Sequence, residues 1–393
     1  MRLPSVPTTW TRPAPVTKVL ALVVTPLLVA TIVGLVVLWP SDGIRAAPDL
    51  GPPTELVKAT VLRDRQVPCQ GQASGMGTST AVCHRTTVAL TSGPERGGEA
   101  EIELVEGPSQ PPVDTGDRLI LGRTSGPEGP TYYFSDFQRR TPMLWLALLY
   151  AVVVIGIGRL RGLTAILGVV VTFGLLLVFV LPAILEGSSP LAVAVVGSAA
   201  SMFVILYLAH GVSAKTTTAL LGTMASLAIT GALASFFVDA AGLLNLGSDE
   251  TAFLQLSASQ VNLQGLLLGG IIIGSLGVLN DVTVTQASAV WALRAADPSA
   301  GFASIYRSAM RVGRDHIAST VDTLVLAYAG ASLPLLLLFS LASRPVGDVI
   351  TGSLVAEEVV RALVGGIGLA ASVPITTALA ALVAGRTPAV PTP

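Results

Sequence analysis

Long apolar runs set the terms for this chain. A bilayer hydrocarbon core is about 30 Å thick and takes about 20 apolar residues per helix. Stretches of that kind recur at residues 19–39, 143–158, 163–185, 190–209, 217–238, 265–285, 317–341 and 362–384. The second is short and opens on Met143, Leu144 and Trp145, so its span is expected to begin a few residues earlier. Charge is correspondingly scarce: 12% of residues are charged, against about 25% in a soluble domain. With 23 basic and 24 acidic residues the net charge is -1, which leaves no excess of basic residues to neutralise nucleic-acid phosphates. Intrinsic disorder is excluded by 51% hydrophobic residues. The reading is an all-α polytopic transmembrane bundle of about eight helices, one amino-terminal anchor plus seven.

Orientation follows from the short loops, because Lys and Arg are retained on the cytoplasmic side. The amino-terminal tail carries Arg2, Arg12 and Lys18. Alternate loops then carry Arg159 with Arg161, Lys215, the group Arg294, Arg307, Arg311 and Arg314, and finally Arg386. The intervening loops carry Glu186, Asp239, Asp249 and Glu250; only the last, with Arg344 and Arg361, departs, and Asp348, Glu357 and Glu358 offset it. Both termini are expected in the cytoplasm. The expected plan is a cytoplasmic tail at 1–18, an anchor at 19–39 and an extracytoplasmic β domain at 40–142. A seven-helix transmembrane domain at 143–385 and a cytoplasmic tail at 386–393 complete it. The first apolar run exceeds the 7–15 residues of a signal-peptide core and is read as a retained anchor. A cleaved signal peptide is the alternative, given the small residues in Arg45-Ala46-Ala47.

Residues 41–142 have a different texture. Short β-prone pieces occur at Leu56–Leu62, Ala81–Leu90, Glu99–Val105, Arg118–Leu121 and Thr131–Phe134, between Gly and Pro clusters. In the third piece Ala100, Ile102 and Leu104 alternate with Glu99, Glu101 and Glu103. Five short strands suit a small barrel or sandwich, with an OB-like barrel among the options. Cys69 and Cys83 bracket a Gly/Ser-rich stretch here and are expected to form a disulfide. Closing a loop of about 15 residues is worth roughly 3 kcal/mol in the chain-entropy account. His84 beside them does not complete a metal set, and no metal or cofactor is predicted. No nucleophile, base and orienting residue fall into a catalytic motif. The domain reads as a binding or assembly module.

The informative charges lie inside the apolar spans. In the sixth, Gly265/Gly269 and Gly270/Gly274 are small-xxx-small pairs that, with Gly277, let a neighbouring helix approach. Then follows a polar run containing Asn280, Asp281, Thr283, Thr285, Gln286 and Ser288. A charged residue at that depth costs several kcal/mol and faces a bundle interior or a wet cavity. Asp281 lies roughly 24 Å along the helix from Gly265. The seventh span supplies Asp315, Ser319 and Asp322 on one face at i, i+4, i+7, with His316, Thr320 and Thr323 on the adjacent strip. Asp322 is roughly 8 Å beyond Ile317, which puts both carboxylates at similar depth. Asp281 and Asp322, with Asn280, Thr283, Thr285, Gln286, His316, Ser319, Thr320 and Thr323, form the candidate substrate- or ion-binding group. Between the two spans, a cytoplasmic interfacial helix is expected at 298–314. Asp297 would cap it and Pro298 would take its first position. Phe302, Ile305, Tyr306, Ala309 and Met310 would form its apolar face. The outward loop 240–263 is expected to hold a short helix.

Two stretches resemble the YibE/F-like family of bacterial membrane proteins: Leu-Gly-Val-Leu-Asn-Asp-Val-Thr-Val-Thr-Gln-Ala-Ser-Ala-Val-Trp at 276–291 and Gly-Arg-Asp-His-Ile-Ala-Ser-Thr-Val-Asp-Thr-Leu-Val-Leu-Ala-Tyr-Ala-Gly-Ala at 313–331. Asn280 stands where that family frequently has an acidic residue, and Asp322 where an Asn is common. The resemblance implies a bacterial cytoplasmic membrane protein, described in that family as a predicted permease. The expected function is thus a permease or an ion- or proton-coupled transporter, with a proton or monovalent cation as partner beside the lipid bilayer. The alternative is a non-transporting membrane-anchored protein that binds an envelope partner, or a second copy of itself, through its outside domain. An intramembrane aspartyl protease would also place two carboxylates at one level. Such enzymes typically present Tyr-Asp and Gly-x-Gly-Asp, whereas here Asp322 follows Val321 and Asp281 follows Asn280. The chain is therefore read as non-enzymatic.

Overall fold

The computed structural model describes residues 15–41, 55–68, 82–105, 113–126, 129–244, 249–341 and 345–386. The chain divides into two units, one of residues 47–153 and one of residues 1–46 with 154–393.

The first unit is built on five antiparallel strands: β1 (Glu55–Pro68), β2 (Val82–Leu90), β3 (Glu99–Val105), β4 (Arg118–Gly126) and β5 (Gly129–Phe137). Their order across the sheet is β3-β2-β1-β4-β5, and the outer strands β3 and β5 approach one another, so the sheet curls. Every strand expected from the sequence is present. The alternation in β3 also holds: Ile102 and Leu104 are buried while Glu99, Glu101 and Glu103 are exposed. The core comprises Val57, Ala59, Val61, Val88, Leu90, Leu119 and Leu121 from β1, β2 and β4 together with those two β3 residues. Cys83 is buried and disulfide-bonded; Cys69, the other cysteine of the sequence, lies outside the described residues. Beside Cys83, Asp64 accepts from Thr86 Oγ1 at 2.6 Å and meets His84 Nδ1 at 2.5 Å. Arg123 grips Glu95 through two hydrogen bonds of 2.9 and 2.5 Å, and Tyr132 donates to the same carboxylate. The Arg123 hydrogen bond holds the Glu95 carboxyl below its ordinary range.

The second unit is helical. Its elements are α1 (Pro15–Val37), α2 (Arg140–Leu175), a π-helical turn at Leu176–Val180, α3 (Leu181–Leu185), α4 (Pro190–His210), α5 (Ala214–Ala240) and α6 (Asp249–Ser257). They continue with α7 (Leu263–Ala296), α8 (Phe302–Ala331), α9 (Leu333–Leu341), α10 (Val346–Thr351) and α11 (Ser353–Arg386). The passage from the β unit to the helical unit occurs within α2. Six helical segments are long and apolar enough to cross a membrane, and a seventh is added if α8 and α9, bent by 59° at Ser332, count as one. One of the six, Arg140–Leu185, is 46 residues long, about 69 Å at helical rise and twice a bilayer core. It is broken where Arg159 leaves helical geometry at φ 52, ψ -132. Gly162 permits the sharp return, because a methyl there would overlap the Val154 carbonyl. The two sequence runs 143–158 and 163–185 thus lie on either side of a real break.

Helices α5, α7 and α11 pack against one another in the middle of this unit. Gly222 lies against Thr376 and Gly368 against Thr230, where a methyl would overlap the threonine hydroxyl in each case. Hydroxyls in this interface return to their own helix: Thr223 to Ala219 O, Ser226 to Gly222 O, Thr230 to Ser226 O and Thr377 to Val373 O. Such back-bonding removes the penalty of a bare hydroxyl in an apolar setting. Ser213 caps α5 and Asn262 caps α7 through backbone N–H groups of Thr216 and Gly265.

Two expectations require correction. No separate helix starts at Pro298. Asp297 ends α7 and turns its carboxylate to Ser299, accepting from the backbone N–H at 2.9 Å and the hydroxyl at 2.6 Å. That is the contact an N-cap side chain makes to the second residue of a helix, but here it closes a single turn over 297–300 that does not continue into a helix. Gly301 takes the cap position, and α8 runs unbroken from Phe302 to Ala331. The apolar face at Ile305 and Ala309 and the polar strip at 315–323 therefore belong to one helix. In addition, Glu357, Glu358 and Arg361, read from sequence as loop residues, lie on α11. The short helix expected in 240–263 is α6, although residues 245–248 are outside the described set.

Candidate functional site

Asp281 lies in the middle of α7, which continues for fifteen residues beyond it without interruption. The partner that the fold brings to it is His316 of α8, whose Nε2 is 4.0 Å from Asp281 Oδ2. That is ion-pair range but too long for a hydrogen bond. Asn280 Oδ1 and His316 Nε2 are both shut off from solvent, and among the described residues neither has a hydrogen-bond partner. A buried polar atom left so costs about 1–3 kcal/mol. A proton, cation or water placed here would recover that energy. Asp281 itself is 71% exposed on the surface of the unit, against 31% for His316, so the carboxylate is the more accessible of the two.

The remaining sequence candidates separate into three groups. Thr283 and Gln286 are buried ties between helices. Thr283 Oγ1 meets Thr223 Oγ1 of α5 at 2.6 Å, and Gln286 Nε2 donates to Ala309 O of α8 at 2.8 Å and Thr377 Oγ1 of α11 at 2.7 Å. A Cβ at Gly313 would overlap Val373 of α11 and stand 3.1 Å from the Gln286 amide. Thr320 and Thr323 donate back along α8, to His316 O and Ser319 O. Asp322, Thr285, Ser319 and Thr323 are exposed. Asp322 lies six residues beyond His316, about 9 Å of rise and about 240° around the helix. Among the described residues it has no ion-pair or hydrogen-bond partner. The approach recorded for Asp281 among the described residues is that of His316, with Asn280 next to it in α7.

The packing glycines divide likewise. A Cβ at Gly265 or Gly269 would stand 3.1–3.2 Å from Pro190 of α4, and one at Gly274 would stand 3.2 Å from Tyr328 Oη of α8. Gly270 and Gly277 face open space.

The sequence reading missed the partners on α5 and α11. Thr223, Thr376 and Thr377 are buried, and the only signal was a hydroxyl every three to four residues along two apolar spans. It also missed the charged group on α11, where Arg361 Nη1 donates to Glu358 Oε1 at 2.7 Å and Glu357 is buried. Among the described residues no set of three or more His, Cys, Asp or Glu is placed to hold a metal ion.

A sequence profile described as YibE/F-like protein matches residues 146–386, well over half of the chain. No curated protein and no solved structure is significantly similar to it.

Proposed function

Because the chain belongs to the YibE/F-like family, we propose that it works as a multi-pass membrane permease or ion- or proton-coupled transporter, with Asp281 and His316 as the group that takes up the proton or cation. The observation that carries this reading is the 4.0 Å approach of the two side chains from consecutive apolar helices. A carboxylate within a membrane helix is expensive unless it does work there, and the facing imidazole carries ring nitrogens that can donate or accept a hydrogen bond beside it. The unmatched Asn280 Oδ1 and His316 Nε2 supply acceptor sites beside the carboxylate. Asp322 and its neighbours line the same helix further along and are proposed as a second station rather than a partner of Asp281. In this reading the bundle has eight spans: six helical segments, the bent α8–α9 pair and the extra crossing made by the break at Arg159. Both termini are cytoplasmic in a bacterial cytoplasmic membrane, and the β unit, read as an OB-like barrel because its five-stranded antiparallel sheet curls, is extracytoplasmic. The test is flux in proteoliposomes. The protein should dissipate an imposed pH or cation gradient faster than empty vesicles, and Asp281→Asn should abolish the difference while inserting equally well. Unchanged flux in that variant would remove Asp281 from the mechanism.

A second reading, membrane-anchored binding without transport, draws support from the β unit's own core. Deleting the β unit separates the two: a transporter retains flux, whereas a binding protein loses its only activity.

A further inference from the structure

A charged cavity of about 450 Å³ lies on the β unit, with Arg63, Arg65 and Arg85 on one side and Glu99 and Glu101 on the other, around Thr87. A β-bulge creates it. Val61 pairs with Val88, and the next pair is Arg63 with Thr87, so Leu62 is an extra residue in β1. Ahead of the bulge Val57, Ala59 and Val61 face the core. Past it Asp64 takes the inner side against His84 and Thr86, and Arg63 and Arg65 turn outward. Bulges re-aim side chains in this way. The result sets Arg65 directly opposite Arg85, an arrangement in which like charges repel. Glu103 stands opposite Arg85 on β3 but outside the cavity. Among the described residues none of the five charged side chains around the cavity has an ion-pair or hydrogen-bond partner. Elsewhere the same unit pairs its charges closely, as Arg123 does with Glu95 and Glu55. Here the positive and negative walls are held apart.

We propose that this cavity binds a zwitterionic phosphate monoester of the phosphoethanolamine type, its phosphate on Arg63, Arg65 and Arg85 and its ammonium on Glu99 and Glu101. Guanidinium forks match phosphate oxygens in charge and geometry, and three of them exceed what a two-oxygen carboxylate can use. The walls leave one net positive charge. A phosphate monoester approaching two negative charges at neutral pH, with one ammonium, leaves one net negative charge. A diester, as in a lipid headgroup, is neutral overall and matches less well.

Calorimetric titration of the full-length protein in detergent tests this with O-phosphorylethanolamine, inorganic phosphate, ethanolamine and glycerophosphorylethanolamine, the diester that a lipid headgroup presents. The expected result is saturable one-to-one binding of phosphorylethanolamine, at least tenfold tighter than each of the others. Arg65→Gln and Arg85→Gln should each weaken it at least tenfold, as loss of a charge-assisted contact does. Glu101→Gln should erase the preference over inorganic phosphate while phosphate still binds. Melting temperatures equal to the wild type establish that these exposed-side variants are folded. Absent saturation, equal affinity for inorganic phosphate, tighter binding of the diester, or unchanged affinity in folded Arg65→Gln and Arg85→Gln would each overturn the proposal.

Discussion

Gln286→Leu is the perturbation whose cost follows most directly from the packing. Gln286 is 2% exposed and its amide joins three helices, donating to Ala309 O and to Thr377 Oγ1. Leucine fills nearly the same volume, so no large cavity term is expected. Both acceptors keep other work: Thr377 still donates to Val373 O, and Ala309 O lies within the α8 ladder. What is lost is two interhelical hydrogen bonds, worth about 0.6 kcal/mol each on average in a membrane bundle and at most about 1.7. The expected destabilisation is therefore about 1 kcal/mol, with about 3 kcal/mol as the ceiling. Thr285→Val, one residue away on the exposed side, should stay within about 0.5 kcal/mol. Reversible unfolding in mixed micelles or bicelles reads both values. Equal costs for the two variants, or none for Gln286→Leu, would refute the assignment of Gln286 as a tie between α7, α8 and α11.

Gly368→Ala should destabilise the helical unit by about 1–3 kcal/mol through overpacking against Thr230, whereas Gly270→Ala, which meets nothing, should be neutral or slightly stabilising in the same unfolding assay. In the β unit, Arg123 holds the Glu95 carboxyl below its ordinary value. Its contribution to stability is thus present above the unfolded-state value of about 4.3 and lost as pH falls through the lower folded value. Thermal melts of the wild type should show that acid loss, and Glu95→Gln should flatten it. Cys83→Ser removes the disulfide at Cys83 and should lower the β unit's stability by about 2–5 kcal/mol, with reductant mimicking the change in the wild type.

Much of the architecture was legible because it rests on periodicity and length. The β3 alternation from Glu99 to Leu104 put the correct face inward, and the apolar runs located the long helices. What escaped depends on single extra residues and on the azimuth of a side chain. Nothing in Val-Leu-Arg-Asp-Arg at 61–65 announces that Leu62 is the bulge that reverses the faces of Asp64 and the arginines. Asp297-Pro298 has the chemistry of a helix start, and the carboxylate does accept from Ser299 as a cap would, yet that turn ends at Ala300 and α8 begins only after Gly301. Depth along a helix axis put Asp281 and Asp322 at one level. Which side chain of α8 comes nearest depends on rotation about that axis, and the approach recorded is that of His316. The clasp at Gln286 needed α11, which is 91 residues distant in sequence at Thr377, and no local pattern reports such a partner.

The central claim is that Asp281 and His316 act as one unit in moving a proton or cation. The decisive measurement is gradient-driven flux in proteoliposomes for wild type, Asp281→Asn, His316→Gln and the double variant, at matched insertion. Residues that act as a unit give grossly non-additive losses. The account predicts wild-type flux well above empty vesicles, a severe loss in each single variant and no further loss in the double. Losses that multiply independently, or wild-type flux no greater than that of empty vesicles, would contradict it.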